Sequence, residues 1–170
     1  MRADEVESLL TNRGRDLLRF AYQLTHERSS AEDLVQEAAL RMLRYPATRP
    51  ITSPFAYART VMVRLVYDRS STAAATREEL RSDPPDNRDQ PDTAADSDGR
   101  IVLWDALGHL TQQARTVLVL RFYADFTDRQ IADVLGCARG TVRSALSRAL
   151  TELRQLDLVQ TQGDDRERRP

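Results

Sequence analysis

The feature that most restricts how this 170-residue chain can fold is a stretch with nothing to bury. From Glu78 to Arg100 there is no apolar periodicity. The segment contains Asp83-Pro84-Pro85-Asp86, is rich in Asp, Ser, Thr and Ala, and sets eight acids against three arginines. A local charge of −5 opposes collapse and the prolines interrupt regular structure, which predicts a flexible, solvated acidic linker over 78–100. One core cannot cross such a gap. Two small bodies are therefore expected, over 1–77 and 101–158, with a disordered tail at 159–170.

Both bodies read as helical, because helix formers abound while Gly (6) and Pro (7) are scarce. In the first, Leu9, Leu10, Leu17, Leu18, Ala21 and Leu24 fit one or two helices up to about His26. Ser30 precedes Ala31-Glu32-Asp33 in the manner of an N-cap followed by first-turn acids. Leu34, Val35, Ala38, Ala39, Met42 and Leu43 continue as an apolar stripe that stops before Pro46. Pro46, Pro50 and Pro54 mark a short loop, after which Phe55 to Arg69 resumes helical spacing through Val61, Met62, Leu65 and Val66. The fold class is all-α, with two small helical domains on either side of the linker.

The second body opens with a short helix through Val102, Leu103, Ala106, Leu107 and Leu110. Thr111 can cap the next helix, which Val117, Leu118 and Leu120 to Phe122 continue. Thr127 then caps an eight-residue amphipathic helix, Asp128 to Leu135. Gly136 closes it, and a last helix runs from about Arg139 to Leu153. Thr127–Leu150 thus has the spacing of a helix-turn-helix. At 100° per residue, Val142, Leu146, Ala149 and Leu153 share one stripe of the last helix, and Arg139, Arg143, Ser147, Thr151 and Arg154 occupy the neighbouring face. Such a face suits a DNA major groove, where Arg can reach guanine O6 and N7. Gly140 allows close approach near the helix start, where free N–H groups can meet a phosphate.

The overall charge of −1 does not oppose this, because the acid is concentrated in the linker. Residues 1–77 carry +3 and residues 101–158 carry +1. Every basic residue is arginine, which suits phosphate recognition, although the codon usage of a GC-rich genome is the simpler source. No stretch is long and apolar enough to span a membrane, and Met1-Arg2-Ala3-Asp4-Glu5 does not read as the start of a signal peptide. A single cysteine, Cys137, cannot form an internal disulfide and fits a reducing, cytoplasmic interior. His26, His109 and Cys137 lack metal-ligand spacing, and no phosphate-cradling glycine loop, nucleophile elbow or catalytic carboxylate pair is present. Neither an enzyme nor a cofactor or metal protein is expected.

Two stretches of the chain resemble a known family. Leu103-Trp104-Asp105-Ala106-Leu107, Ala114 to Phe122, Gln130 to Cys137 and Gly140 to Leu150 are similar to the fourth conserved region of extracytoplasmic-function (ECF) sigma factors of bacterial RNA polymerase. Ala31-Glu32-Asp33-Leu34-Val35-Gln36-Glu37 resembles the polymerase-binding helix of their second region, and Tyr57-Ala58-Arg59-Thr60-Val61-Met62-Val63 its promoter-opening helix. The details are most similar to the SigE-like group of actinomycetes.

The resemblance implies a promoter-specificity subunit that binds core polymerase at the clamp coiled coil and the flap, and reads promoter DNA. It implies −35 recognition by Arg139, Thr141, Arg143, Ser144, Ser147 and Arg148, with Thr127 and Gln130 from the preceding helix. Polymerase binding falls to Asp33, Gln36, Glu37 and Arg41, which lie on one helix face. At −10 the loop Pro46–Pro54 would capture a flipped base, with Arg59, Arg64 and Arg69 on the strand backbone and Tyr57 or Phe55 as stacking surfaces. The free protein would be a cytoplasmic monomer, with an anti-sigma protein as a further partner.

Some positions depart from the family. Leu110-Thr111-Gln112 replaces the usual Leu-Pro-Pro, and Ala138 replaces a capping Ser, a loss of about 1 kcal/mol. Arg64 replaces an Asn and Ser70-Ser71 a basic run, which bears on −10 specificity and melting. A stand-alone helix-turn-helix regulator binding an operator as a dimer, and a helical module that binds polymerase without reading DNA, are the alternatives.

Overall fold

Among the residues described by the computed structural model, 1–46, 51–77 and 106–167, all regular structure is helical. They fall into two compact units. The expected linker, 78–100, lies outside the described residues, as do 47–50 of the first proline-rich loop and 101–105 at the head of the second body.

Among the described residues, three helices make the first unit. Helix α1, Ala3–Thr25, is one continuous helix. It starts where the Glu5 carboxylate accepts the Arg2 backbone N–H at 3.0 Å, and stops at His26, whose φ of 58° is left-handed. Helix α2, Arg28–Leu43, does not take Ser30 as its cap. It begins three residues sooner, with Glu27 as the capping residue, and the Ser29 and Ser30 hydroxyls both donate to the Glu27 carboxylate. These two bonds hold the Glu27 carboxyl below the usual glutamate range. Helix α3, Pro54–Arg77, runs past the expected end at Arg69; Pro54 has the φ its first turn needs, and Ser53 Oγ accepts the Ala56 N–H at 3.3 Å. All three helices pack against one another, with Phe20, Leu24, Leu34, Met42, Met62 and Leu65 fully buried between them.

The second unit follows from a helical turn at 106–109. Helix α4, Gln112–Leu118, is capped by Thr111. The chain does not continue as α-helix through Phe122: Val119–Tyr123 widens into a π turn, with the Ala124 N–H on the Val119 carbonyl at 3.0 Å. The wider turn keeps Leu120 fully buried and turns Phe122 outward, 65% exposed. Helix α5, Asp128–Leu135, ends at Gly136 with φ 66°, a conformation that favours glycine. Helix α6, Arg139–Glu167, extends well beyond Leu153, so the backbone is helical where a disordered tail is expected. Residues 168–170 of that tail lie outside the described residues.

One buried ion organises this unit. Arg115 is 7% exposed, and its guanidinium donates to the carbonyls of Leu107, Gly108 and Leu110 at 2.8, 2.9 and 3.2 Å. Those carbonyls end the 106–109 turn, where helix termini leave backbone acceptors open; that of Leu107 also accepts a backbone N–H, from Leu110 at 3.3 Å. Burial pushes the Arg115 guanidinium down to about 10, which leaves it charged at neutral pH.

Two outcomes follow. Arg115→Met should destabilise the second unit by about 3 kcal/mol, since buried carbonyls lose their donors, and urea unfolding followed by circular dichroism should show the first unit's transition unmoved. At Glu27 the folded carboxyl titrates below its unfolded value, so its contribution is complete at neutral pH and fades as pH falls through the folded pKa. Glu27→Gln should remove that part of the acid dependence, read as the difference between the two proteins' stability-versus-pH curves.

Candidate nucleic-acid interface

Helix α6 presents two chemically different sides. Val142 and Ala149 are buried, and Ala145, Leu146, Leu150 and Leu153 pack against the cluster of Leu110, Ala114, Val117 and Leu118. Turned outward are Arg139, Thr141, Arg143, Ser144, Ser147 and Arg148, all exposed, with Thr151 and Arg154 further along. All six expected α6 positions therefore lie on the solvent side of one helix. The hydroxyls of Ser144 and Thr151 donate to the Gly140 and Ser147 carbonyls at 3.0 and 2.9 Å, which fixes their rotamers and leaves their oxygens outward as acceptors. A Cβ on Gly140 would meet nothing within 4 Å, so packing inside the unit does not require glycine there.

Thr127 and Gln130 have a different local duty. Thr127 Oγ1 accepts the Gln130 N–H at 3.3 Å while Gln130 Oε1 accepts the Thr127 N–H at 2.9 Å, a reciprocal capping box that starts α5. The pair is exposed and stands beside the α6 face, but its oxygens are engaged by backbone.

Two acids that charge counting would set against DNA are tied within the unit. Glu152, the one acid between Arg139 and Arg154, accepts the Thr111 N–H at 3.1 Å and so helps start α4. Asp128 lies 3.6 Å from Arg121 and 3.2 Å from Arg143. Sequence spacing could not reveal either contact, because each joins residues from different helices.

In the first unit, Asp33, Gln36 and Arg41 are exposed on α2 and Glu37 is half-buried. Glu37 accepts from Arg41 Nη2 at 3.3 Å along its own helix, and also pairs with Arg69 of α3. Beside Gln36, between α1 and α2, lies an open apolar groove bordered by Val6, Leu10, Val35, Leu40 and Leu43. Leu40 and Leu43 are 54% and 42% exposed, although Leu43 reads from spacing as core. An outward-facing leucine inside a helical repeat is the signal that could have found this groove.

On α3, Arg64 and Arg69 are exposed, whereas the Arg59 guanidinium sits over the Phe20 ring at 4.5 Å. Arg59 thus packs against the core as well as lining this side. Phe55 lies under Arg13, 4.0 Å from its ring centroid, and is covered from that side. Tyr57 pairs with Tyr45, ring centroids 5.0 Å apart and tilted by 58°. Burial first, and then the neighbouring Tyr45, push the Tyr57 hydroxyl above its ordinary range, so it stays a neutral donor at physiological pH.

Among the described residues no group of three His, Cys, Asp or Glu side chains could hold a metal ion, and no helix is long and apolar enough to cross a membrane.

An all-helical chain with a basic helix-turn-helix face in one unit and a separate three-helix bundle in the other is a DNA-binding protein of two-unit type. Comparison with known families matches residues 9–76 to the model "Sigma-70 region 2" and residues 106–155 to "Sigma-70, region 4". The chain is 32% identical over 145 residues to the ECF RNA polymerase sigma factor SigL of Mycobacterium tuberculosis, covering 81% of this chain and 80% of that one. To the RNA polymerase sigma-E factor of Streptomyces coelicolor it is 33% identical over 174 residues, covering 96% of each. Its fold is similar to that of the sigma factor RpoE solved with the anti-sigma factor NepR from Bartonella quintana, with TM-score 0.64, 22% identity, and coverage of 92% of this chain and 99% of that one. The chain belongs to the sigma-70 family, in its extracytoplasmic-function group. It therefore acts in promoter-specific transcription initiation as a sigma factor of bacterial RNA polymerase, a role carried out by binding core enzyme and promoter DNA.

Removing the capping box is expected to weaken α5 whatever α6 does with DNA. Thr127→Val should lower the stability of the second unit by about 1 kcal/mol, measured as a shift in the urea midpoint with unchanged slope.

Proposed function

We propose that α6 enters the major groove of the −35 element, with Arg139, Arg143 and Arg148 offering guanidinium forks to bases and phosphates and Thr141, Ser144 and Ser147 supplying hydroxyls. The observation that carries this is the unbroken exposed stripe from Arg139 to Arg148 on a helix whose other side is core. Thr127 and Gln130 act beside it by holding the start of α5, with the remaining amide hydrogens of Gln130 available to a phosphate. In the first unit Asp33, Gln36, Glu37 and Arg41 dock on the clamp coiled coil of the polymerase, and Leu40 and Leu43 add apolar surface to that contact. Tyr57, Arg64 and Arg69 line the −10 side. Arg59 supports Phe20 there and approaches the strand less directly.

The two bodies, 1–77 and 101–158, work through the acidic tether between them, and the second also meets the polymerase flap. The protein is a cytoplasmic monomer before it joins core enzyme, and its work is binding, with no bond chemistry of its own. The RpoE chain of similar fold was solved with an anti-sigma factor, and a partner of that kind belongs to this reading.

Arg143→Ala should lower transcription from a promoter that depends on its −35 element about five-fold or more, as expected from losing about 1–3 kcal/mol of base recognition, while core binding in a pull-down persists. Asp33→Ala should do the reverse, losing core binding first. Equal loss of both activities in each variant would overturn the division of labour. Protection of duplex promoter without polymerase would instead favour a stand-alone regulator.

A further inference from the structure

We propose that Asp128 is a positioning residue for promoter reading: it sets the orientation in which Arg143 meets the base edges. This rests on Arg143 contacting bases. Asp128 is the first residue of α5, fifteen residues from Arg143 along the chain, yet its Oδ2 accepts from Arg143 Nε at 3.2 Å. Its other oxygen, Oδ1, faces Arg121 Nη1 at 3.6 Å, and that same Arg121 nitrogen donates to the Phe126 carbonyl at 3.1 Å. A chain of polar contacts therefore runs from the loop before α5, through Arg121 and Asp128, to the exposed side of α6.

Three features point to orientation. The Asp128 side chain is only 25% exposed, whereas that of Arg143 is 75% exposed, so the fixed member of the pair is the acid. The contact uses Nε, and among the described residues no hydrogen bond or ion pair engages the two terminal amino groups of Arg143. Those two groups form the fork that guanine O6 and N7 accept. Finally, a carboxylate beside a DNA-binding face repels phosphates unless it is compensated, and here two guanidinium groups flank it. An exposed ion pair contributes little to folding stability. Its consequence lies in restricting a long, flexible side chain before DNA arrives, which reduces the ordering cost of binding.

The test is a selection by holoenzyme, assembled from the full chain and bacterial core polymerase, on duplex DNA with a randomised upstream hexamer. Arg143→Ala identifies the base pair that Arg143 reads, as the position where enrichment disappears. Asp128→Ala should then lower enrichment at that same base pair about two- to ten-fold, the range expected for ordering one long side chain, and leave the other positions near wild type. Asp128→Asn, close in shape and safe for folding, should lose less at the same position, because a neutral oxygen can still accept from Nε. Binding to non-specific duplex should hold or rise, since a negative charge is removed beside the phosphates. Wild-type enrichment at that position in Asp128→Ala would overturn the proposal while leaving the role of Arg143 intact. So would an equal fall at every position accompanied by weaker non-specific binding, the signature of a merely structural residue. If Arg143→Ala alters no position, the reading of Arg143 fails and this proposal with it.

Discussion

Burial of Val142 and Ala149 is the constraint on which the second unit depends. These two side chains fix the rotation of α6 about its axis, because a helix turned by one residue would expose them and submerge an arginine. With that rotation set, Arg143, Ser144, Ser147 and Arg148 can only face water, while Ala145 and Leu146 between them pack against the core. The arginine stripe is therefore a consequence of packing, and the backbone that presents it is fixed by the core beneath. Leu110, Ala114, Val117 and Leu118 supply the opposing surface, and Arg115 keeps that surface in place by binding the carbonyls that end the preceding turn.

Electrostatics work locally in this molecule. A chain with a formal charge of −1 is a poor DNA ligand if charge is averaged. The structure removes several acids from consideration by giving them internal partners. Glu152 holds the start of α4, Asp128 stands between two arginines, and Glu37 is engaged by Arg41 and Arg69. The contact between Glu37 and Arg69 joins α2 to α3 within the first unit.

Each unit is small, and small bodies bury a modest share of their surface. Much of the precision in both comes from helix ends. Ser53 before Pro54, Thr111, the Thr127–Gln130 box and Gly136 each satisfy backbone groups that helix termini leave open, and at the start of α2 the Glu27 carboxylate gathers the Ser29 and Ser30 hydroxyls. Where such a device fell outside the familiar pattern, spacing misjudged the boundary. Glu27 is not a favoured capping residue, so Ser30 looked the better start. The π turn at Val119–Tyr123 has no residue signature, which is why Leu120 to Phe122 read as a continuing α-helix whereas Phe122 turns outward.

Two helical bodies, the helix-turn-helix arithmetic and the solvent-facing side of α6 were legible in the amino-acid order, because helical periodicity is a local property that needs no partner to be read. The family match over both regions followed from the same residues. Tertiary structure alone decided which carboxylates are neutralised by which arginines, that Arg59 covers Phe20, that Leu40 and Leu43 face a groove, and that Asp128 grips Arg143. Such contacts join residues on different helices, and their geometry depends on how those helices cross. No spacing within one helix encodes that crossing; it emerges only when the apolar stripes have packed.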